Sequence, residues 1–280
     1  MSSIYHFFFS LVKTKSEFVR VDHLDNFPFD ERLLSCRNKG VFPDLAIRIS
    51  KQGETYSGGE LIELKDSKTY SVASFNSTIP SSRKKTTDII VNTNSLIYKQ
   101  MREKGENPED LPERQVFYLV RGRKSGCVKV CLVHGSFFET VQIKNLIQQS
   151  FAQVLEEGLM TSGEHLSEEV QQKLTELLSR QDYFRRVRDV PNASVKLRFR
   201  IMTEVKAQAN ILDSRRYPQI KENSLNLILP LHGNREQLLE QFQSVGKEEN
   251  VPEAFETICF KHPLNGDFLV FQTMLLNEQG

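Results

Sequence analysis

Two short alternating segments constrain this chain most: Phe42-Pro43-Asp44-Leu45-Ala46-Ile47-Arg48-Ile49 and Gly59-Glu60-Leu61-Ile62-Glu63-Leu64-Lys65-Asp66, joined through a polar, Gly-rich stretch from Gly53 to Gly59. Period-two alternation is the signature of a strand, and two such runs about a Gly-containing turn read as neighbouring strands. Side chains leave a strand on alternate sides. Leu45, Ile47 and Ile49 therefore share one face and leave Asp44 and Arg48 on the other. In the second run Ile62 and Leu64 point one way, Glu63 and Lys65 the other. Two carboxylates and an ammonium can then converge on a sheet whose opposite face is apolar. A Pro opening the first strand is well placed, because it removes a backbone donor only at the start.

A hard cation such as Mg2+ prefers oxygen ligands and keeps several waters, so two carboxylates on adjacent strands can hold it and leave room for a phosphate. Such a metal polarises a phosphoryl group and acidifies a bound water. Lys65 would orient or help deprotonate that water and offset charge developing on the phosphorus. Pro43-Asp44, 18 intervening residues and then Glu63-Leu64-Lys65 resemble the PD-(D/E)xK nuclease superfamily, in particular type II restriction endonucleases, over at best the first half of the chain. The resemblance implies an α/β fold, a central mixed sheet flanked by helices. It further implies Asp44, Glu63 and Lys65 as catalytic residues, Asp44 and Glu63 as Mg2+ ligands, and sequence-specific cleavage of double-stranded DNA. Superfamily members often add an acid from an upstream helix, for which Glu17 and Glu31 are the candidates. A homodimer is expected, since two strands must be cut and a palindrome mirrors a two-fold axis.

The tripeptide alone discriminates little, because the chain holds three matches: Glu63-Leu64-Lys65, Asp66-Ser67-Lys68 and Glu204-Val205-Lys206. Asp66 and Lys68 share parity with Ile62 and Leu64, which puts them on the apolar side. The nearest acid upstream of Glu204 is Asp189, which has no preceding Pro, whereas Pro43-Asp44 is the only Pro-Asp pair in the chain. An edge hairpin that is polar for solubility alone is the competing reading. The segment that follows weighs against it. Tyr70 to Lys85 carries short hydroxyl and amide side chains, among them Ser74, Asn76, Ser77 and Thr78, and then the basic triplet Arg83, Lys84 and Lys85. Small donors followed by charges that displace counterions suit a loop beside a DNA backbone. An ordinary Ser/Thr-rich turn has the same composition.

The formal charge of +1 means that polyanion binding has to come from local basic clusters. Arg121-Gly122-Arg123-Lys124, Arg185-Arg186-Val187-Arg188, Arg198 with Arg200, and Arg215-Arg216 join the triplet, offset by acidic runs near 103–113 and 156–169. The aromatic start, Tyr5-His6-Phe7-Phe8-Phe9, is too short to span a bilayer and lacks a basic leader, so a cytoplasmic protein with no membrane partner is expected. Four cysteines, Cys36, Cys127, Cys131 and Cys259, suggest no disulfide framework. Cys127 and Cys131 share a strand face while His134 has the opposite parity, so these read as core residues and not as zinc ligands.

Helical spacing of Ile4, Phe7, Phe8, Leu11 and Val12 predicts a helix over the first twenty residues, and 22–40 reads as irregular. After the hairpin come a helix around 87–104, strands at 115–121 and 127–134, and a helix from about 138 to 157. Gly158 to Ser167 is the best linker, Ser167 can cap the next helix, and Val170, Leu174 and Leu177 give that helix an apolar stripe. Short strands return at 195–202, 225–231, 255–260 and 268–276, with a helix at 234–244. This organisation divides into a nuclease-like core, 1–160, and an α+β region, 161–280, serving DNA recognition or dimerisation. Two other functions fit the same residues: a repair or recombination nuclease, and a DNA-binding module with a nuclease-like sheet but no catalysis.

Overall fold

The computed structural model describes residues 2–35, 42–49, 56–72, 74–76, 80–85, 96–107, 109–110, 113–139, 143–179, 187–188, 191–192, 194, 197–198 and 202–275. Its strands are β1 (Leu33–Ser35), β2 (Leu45–Ile47), β3 (Leu61–Ser67), β4 (Ser74–Asn76), β5 (Arg83–Lys85), β6 (Glu113–Lys124), β7 (Cys127–His134), β8 (Val187–Arg188), β9 (Leu197–Arg198), β10 (Met202–Glu204), β11 (Ser224–Pro230), β12 (Glu256–His262) and β13 (Gly266–Met274). The helices are α1 (Ser2–Lys13), α2 (Glu17–Arg20), α3 (Leu96–Glu103), α4 (Ile143–Ser162), α5 (Glu168–Leu178) and α6 (Arg235–Glu248). A nine-stranded sheet in the order β1-β2-β3-β6-β7-β11-β13-β12, with β5 also paired to β6, organises the chain. β3 runs parallel to β6 and β7 parallel to β11, while the other neighbours are antiparallel. The fold is α/β, a mixed sheet flanked by helices, as expected. The three strands from 224–274 extend the same sheet that the first 134 residues begin.

Alternation assigns each strand residue to one of two cores. Leu45, Ile47, Ile62, Phe117, Leu119, Leu227 and Phe271 face α1 and α6. There Tyr5, Phe8 and Phe9 meet Phe242, whose ring stacks on Phe271 with centroids 3.8 Å apart. Ala46, Leu61, Val116, Tyr118, Val120, Val133 and Val270 face Ile97 and Met101 of α3, Phe137, and the turns around Ile211 and Tyr217. β6 and β7 are joined by Ser125 and Gly126, both at positive φ, the backbone that matches the right-handed twist of a tight hairpin. Among the described residues no helix is long and apolar enough to cross a membrane.

Several local expectations shift. Within 22–40, residues 33–35 form β1 and pair with β2; three residues are too few to show periodicity. The helix expected at 138–157 spans 143–162, so Gly158 lies inside α4 and not in a linker. A helical Gly costs about 1 kcal/mol, which the Gln, Glu, Leu and Met around it can absorb. Gly163, at φ +70°, ends that helix in the left-handed conformation open to Gly. Ser167 stands at the N-cap of α5 but makes no capping hydrogen bond with its side chain. Asn234 does cap α6, its side chain accepting from the N–H of Gln237 at 3.1 Å.

One buried cation anchors the site half of the sheet. Arg121, fully buried on β6, donates to both oxygens of Asp66 on β3 (2.9 and 2.5 Å) and to the carbonyls of Phe18, Val21 and Asp22 (2.9, 2.7 and 3.2 Å). All five guanidinium donors are thereby used. Lys cannot reproduce a planar fork, and a broken buried pair leaves its partner uncompensated. Arg121→Lys is therefore expected to lower the unfolding free energy by about 2–4 kcal/mol in denaturant titrations; a loss below about 0.5 kcal/mol would show that the fork is not structural.

Candidate active site

The hairpin of β2 and β3 pairs Leu45 with Ile62 and Ala46 with Leu61. Asp44, one residue before β2 and following a cis Phe42–Pro43 bond, is thus carried alongside Glu63. Its Oδ2 accepts from the N–H of Leu64 at 2.7 Å. Glu63, only 6% exposed, lies on the face opposite Ile62 and stands beside Tyr118 of β6 in the parallel register. Lys65, two residues on and so on the same face, donates to Glu63 Oε1 at 2.7 Å. Glu63 Oε2 is buried without a hydrogen-bond partner among the described residues. The three residues singled out in the sequence are therefore brought together.

Burial, reinforced by the Glu63 carboxylate, pushes the Asp44 carboxyl up to about 7, against the pull of the Leu64 N–H and the Lys65 ammonium. Asp25, from the 3₁₀ turn at Leu24–Asn26, adds to the same upward push. Among the described residues the pocket is short of positive charge: Lys65 serves both carboxylates, and Glu63 Oε2 has no hydrogen-bond partner. A hard divalent cation fits that deficit, because Mg2+ commonly takes one or two carboxylates and keeps water as its remaining ligands. Among the described residues no group of three or more His, Cys, Asp or Glu is disposed to hold a metal; a cation placed here would have two protein carboxylates, Asp44 and Glu63, beside it.

The competing tripeptides have other roles. Asp66 is held in the Arg121 fork on the opposite face of β3. Glu204 ends β10, which pairs with β4, placing Glu204 opposite Ser74. Neither upstream acid reaches the pair: Glu17 is on α2 and sits 3.4 Å from Arg20, and Glu31 is an exposed turn residue. Asp25 is the upstream acid that Asp44 feels, and no periodicity marks it. Tyr118 was also missed. It is fully buried, its hydroxyl accepts from the N–H of Ser81 at 3.3 Å, and it reads in sequence as one more apolar residue of β6.

Ser74 and Asn76 lie in β4, while Ser77 and Thr78 fall outside the described residues. Arg83, Lys84 and Lys85 form a strand and not a polar loop, pairing with Gln115, Arg114 and Glu113. Three charged residues carry no strand signal, and the pairing comes from β6. Gly135 makes room for this strand, since a Cβ there would sit 1.9 Å from the Ser81 carbonyl oxygen. Lys84 Nζ lies 4.0 Å from the Phe42 ring centroid, beside the cis bond that precedes Asp44. Arg83 is exposed on the other side of the strand. At the far ends of β3 and β6, His23, Lys68, Arg123 and Lys124 line an open cavity that also contains Asp22. Cys131 is fully buried, with Asn226 Nδ2 3.8 Å from its sulfur, as a core residue would be.

No family model, no curated protein and no solved structure matches the chain.

Asp44 supplies a pH test. Its folded value, about 7, exceeds its ordinary 3.8, so its contribution to stability is fully present below about pH 4 and is lost as pH rises through 7. Asp44→Asn, which keeps an acceptor for the Leu64 N–H, should make the metal-free protein more stable at pH 8 by about 1–2 kcal/mol, discounted for partial exposure. At pH 4 the two proteins should match. Thermal unfolding in a chelator at both pH values measures this, and equal midpoints at pH 8 would mean that the two carboxylates are not in conflict.

Proposed function

We propose that this chain is a Mg2+-dependent DNA endonuclease of the PD-(D/E)xK kind, acting in the cytoplasm on both strands of a specific double-stranded sequence, as type II restriction enzymes do. The observation that carries the reading is the pairing of Asp44, with its raised proton affinity, and Glu63, with a buried oxygen that has no hydrogen-bond partner among the described residues, on adjacent strands beside Lys65. Mg2+ held by Asp44 and Glu63 would polarise the scissile phosphate and acidify water. Lys65, fixed by Glu63, orients the attacking water and offsets charge developing on the phosphoryl oxygens. Asp44 is fixed in turn by the Leu64 N–H. Lys84 and Arg83 of β5 supply positive charge for a backbone passing the edge of the sheet beside Asp44.

A non-catalytic DNA-binding sheet is the rival reading. The Lys65–Glu63 ion pair favours it, because it already occupies one carboxylate oxygen. Cleavage separates the two. Plasmid DNA with Mg2+ should yield discrete fragments, and Asp44→Ala or Glu63→Ala should abolish cutting while the protein remains folded. Lys65→Ala should lower kcat by about 10²-fold or more. Ca2+ should support specific binding without cutting, since it accepts carboxylates but acidifies water less. Undiminished cleavage by either carboxylate mutant would remove the site. Nicking that depends on branched or damaged DNA would instead point to repair.

The basic strand makes a separate claim. Arg83→Gln with Lys85→Gln leaves Lys84 on Phe42 and should weaken binding to all sequences alike, flattening the log–log salt slope by up to about 0.9 per lost phosphate contact. An unchanged slope in gel-shift titrations would place β5 away from DNA, and a loss of discrimination at constant affinity would mean that these residues read bases.

A further inference from the structure

Where β3 and β6 end, the pairing of charges along the two strands breaks off. Asp66 and Arg121 stand opposite each other and join opposite charges. Ser67 then pairs with Gly122, and the next residue on each chain, Lys68 and Arg123, both line one cavity of about 690 Å³. Neighbouring strands lie about 5 Å apart, so two cations stand side by side one step beyond an ion pair. Like charges so placed repel unless something negative lies between them. The protein supplies little. Asp66 Oδ2 is 3.9 Å from Arg123 but is already bonded to Arg121 and to the N–H of Leu24. Arg123 Nη2 donates to the Asp22 carbonyl at 2.6 Å, while its Nε is buried with no hydrogen-bond partner among the described residues. A buried guanidinium N–H without an acceptor calls for an oxygen from outside the chain.

We infer that this cavity binds a small oligophosphate, of the kind a nucleoside di- or triphosphate carries, at a site separate from Asp44 and Glu63. The inference does not depend on the nuclease reading. A guanidinium and an ammonium side by side suit the charge and the several oxygens of a phosphate chain. Lys124 adds charge at the rim, its ammonium 6.0 Å from the Tyr70 ring. Asp22 is the one carboxylate residue in the lining, and Arg123 holds it by its carbonyl. Val19 and Val128 give an apolar wall, with His23 and Asn26 as polar groups beside it, the mixture that small-molecule sites show at volumes of roughly 300–1,000 Å³. A duplex is too large an occupant. As a cube the cavity would measure about 9 Å on a side, less than the roughly 12 Å of a major groove alone. Val19 and Val128 also belong to the core that faces α1 and α6, so the cavity opens on the side of the sheet opposite Glu63 and Lys65. A bound ligand would tie the 19–26 segment, which Arg121 holds by its carbonyls, to the ends of β3 and β6.

Calorimetric titration of the full chain in a chelator, which prevents a metal from bridging phosphate to Asp44 and Glu63, should show one site for ATP with Kd at or below about 0.1 mM. Tripolyphosphate should compete for it and adenosine should not. Equal affinity of ATP and tripolyphosphate would mean that the phosphate chain alone is read, and tighter ATP that the nucleoside rests on Val19 and Val128. Lys68→Gln should weaken ATP by about 10-fold, and Lys68→Gln with Arg123→Gln by about 100-fold. The single variant changes an exposed side chain, so it remains informative if the double variant unfolds. Hydrogen exchange with ATP bound should slow the amides of 22–26 and 123–128 and leave those of α6 unchanged. Covalently closed plasmid should not displace the nucleotide. No binding of ATP or tripolyphosphate at about 1 mM, adenosine binding as well as ATP, unchanged affinity in folded Lys68→Gln, protection confined to other segments, or displacement by the plasmid would each overturn the inference.

Discussion

The arrangement depends on the fork between Arg121 and Asp66. Arg121 is fully buried and its five donors are taken by two carboxylate oxygens and three carbonyls of the 18–22 segment. No water can replace those acceptors, so β3 and β6 have one register in which the charge is satisfied. Successive side chains alternate, and a slip of one residue would exchange the two faces of β3. The register that sends Asp66 to Arg121 is therefore the one that sends Glu63 and Lys65 to the opposite face, beside Asp44. A structural ion pair on one side of the strand fixes which side chains stand together on the other.

On that other side the charges of the described residues do not balance. A fully satisfied fork needs nothing further, but among the described residues Asp44 and Glu63 share the Lys65 ammonium, burial and Glu63 raise the Asp44 carboxyl to about 7, and an oxygen of Glu63 has no hydrogen-bond partner. Buried polar atoms are generally paired, and an unpaired one calls for a missing water, ion or ligand. The proposed Mg2+ would supply the missing positive charge. Rigid placement matters as much, since a cation shared by two carboxylates needs both held at once, here by the Leu64 N–H and by Lys65.

How far this could be read from the sequence follows from which signals are local. The hairpin, the facing of Asp44, Glu63 and Lys65, and the exile of Asp66 to the apolar side were legible because parity along a strand is strictly local. So were β11, β12, β13 and α6, within a few residues at their ends. Tyr118 and Asp25 were not legible, because their nearness to the carboxylates comes from parallel pairing with β6 and from a turn packed through Arg121. The strand of Arg83, Lys84 and Lys85 was hidden for the same reason, as its partner is 30 residues away in β6. Gly158 misled in the opposite direction: its local preference for a break is overridden by twenty residues of continuous helix.

The most direct test is to locate the cation. Crystals grown or soaked with Mn2+ and measured at a wavelength where manganese scatters anomalously should show a peak within about 2.0–2.3 Å of carboxylate oxygens from both Asp44 and Glu63, with Lys65 turned from Glu63 toward a metal-bound water. An anomalous peak at some other set of ligands, or none between these carboxylates in protein that cuts DNA with the same Mn2+, would contradict the shared-cation account.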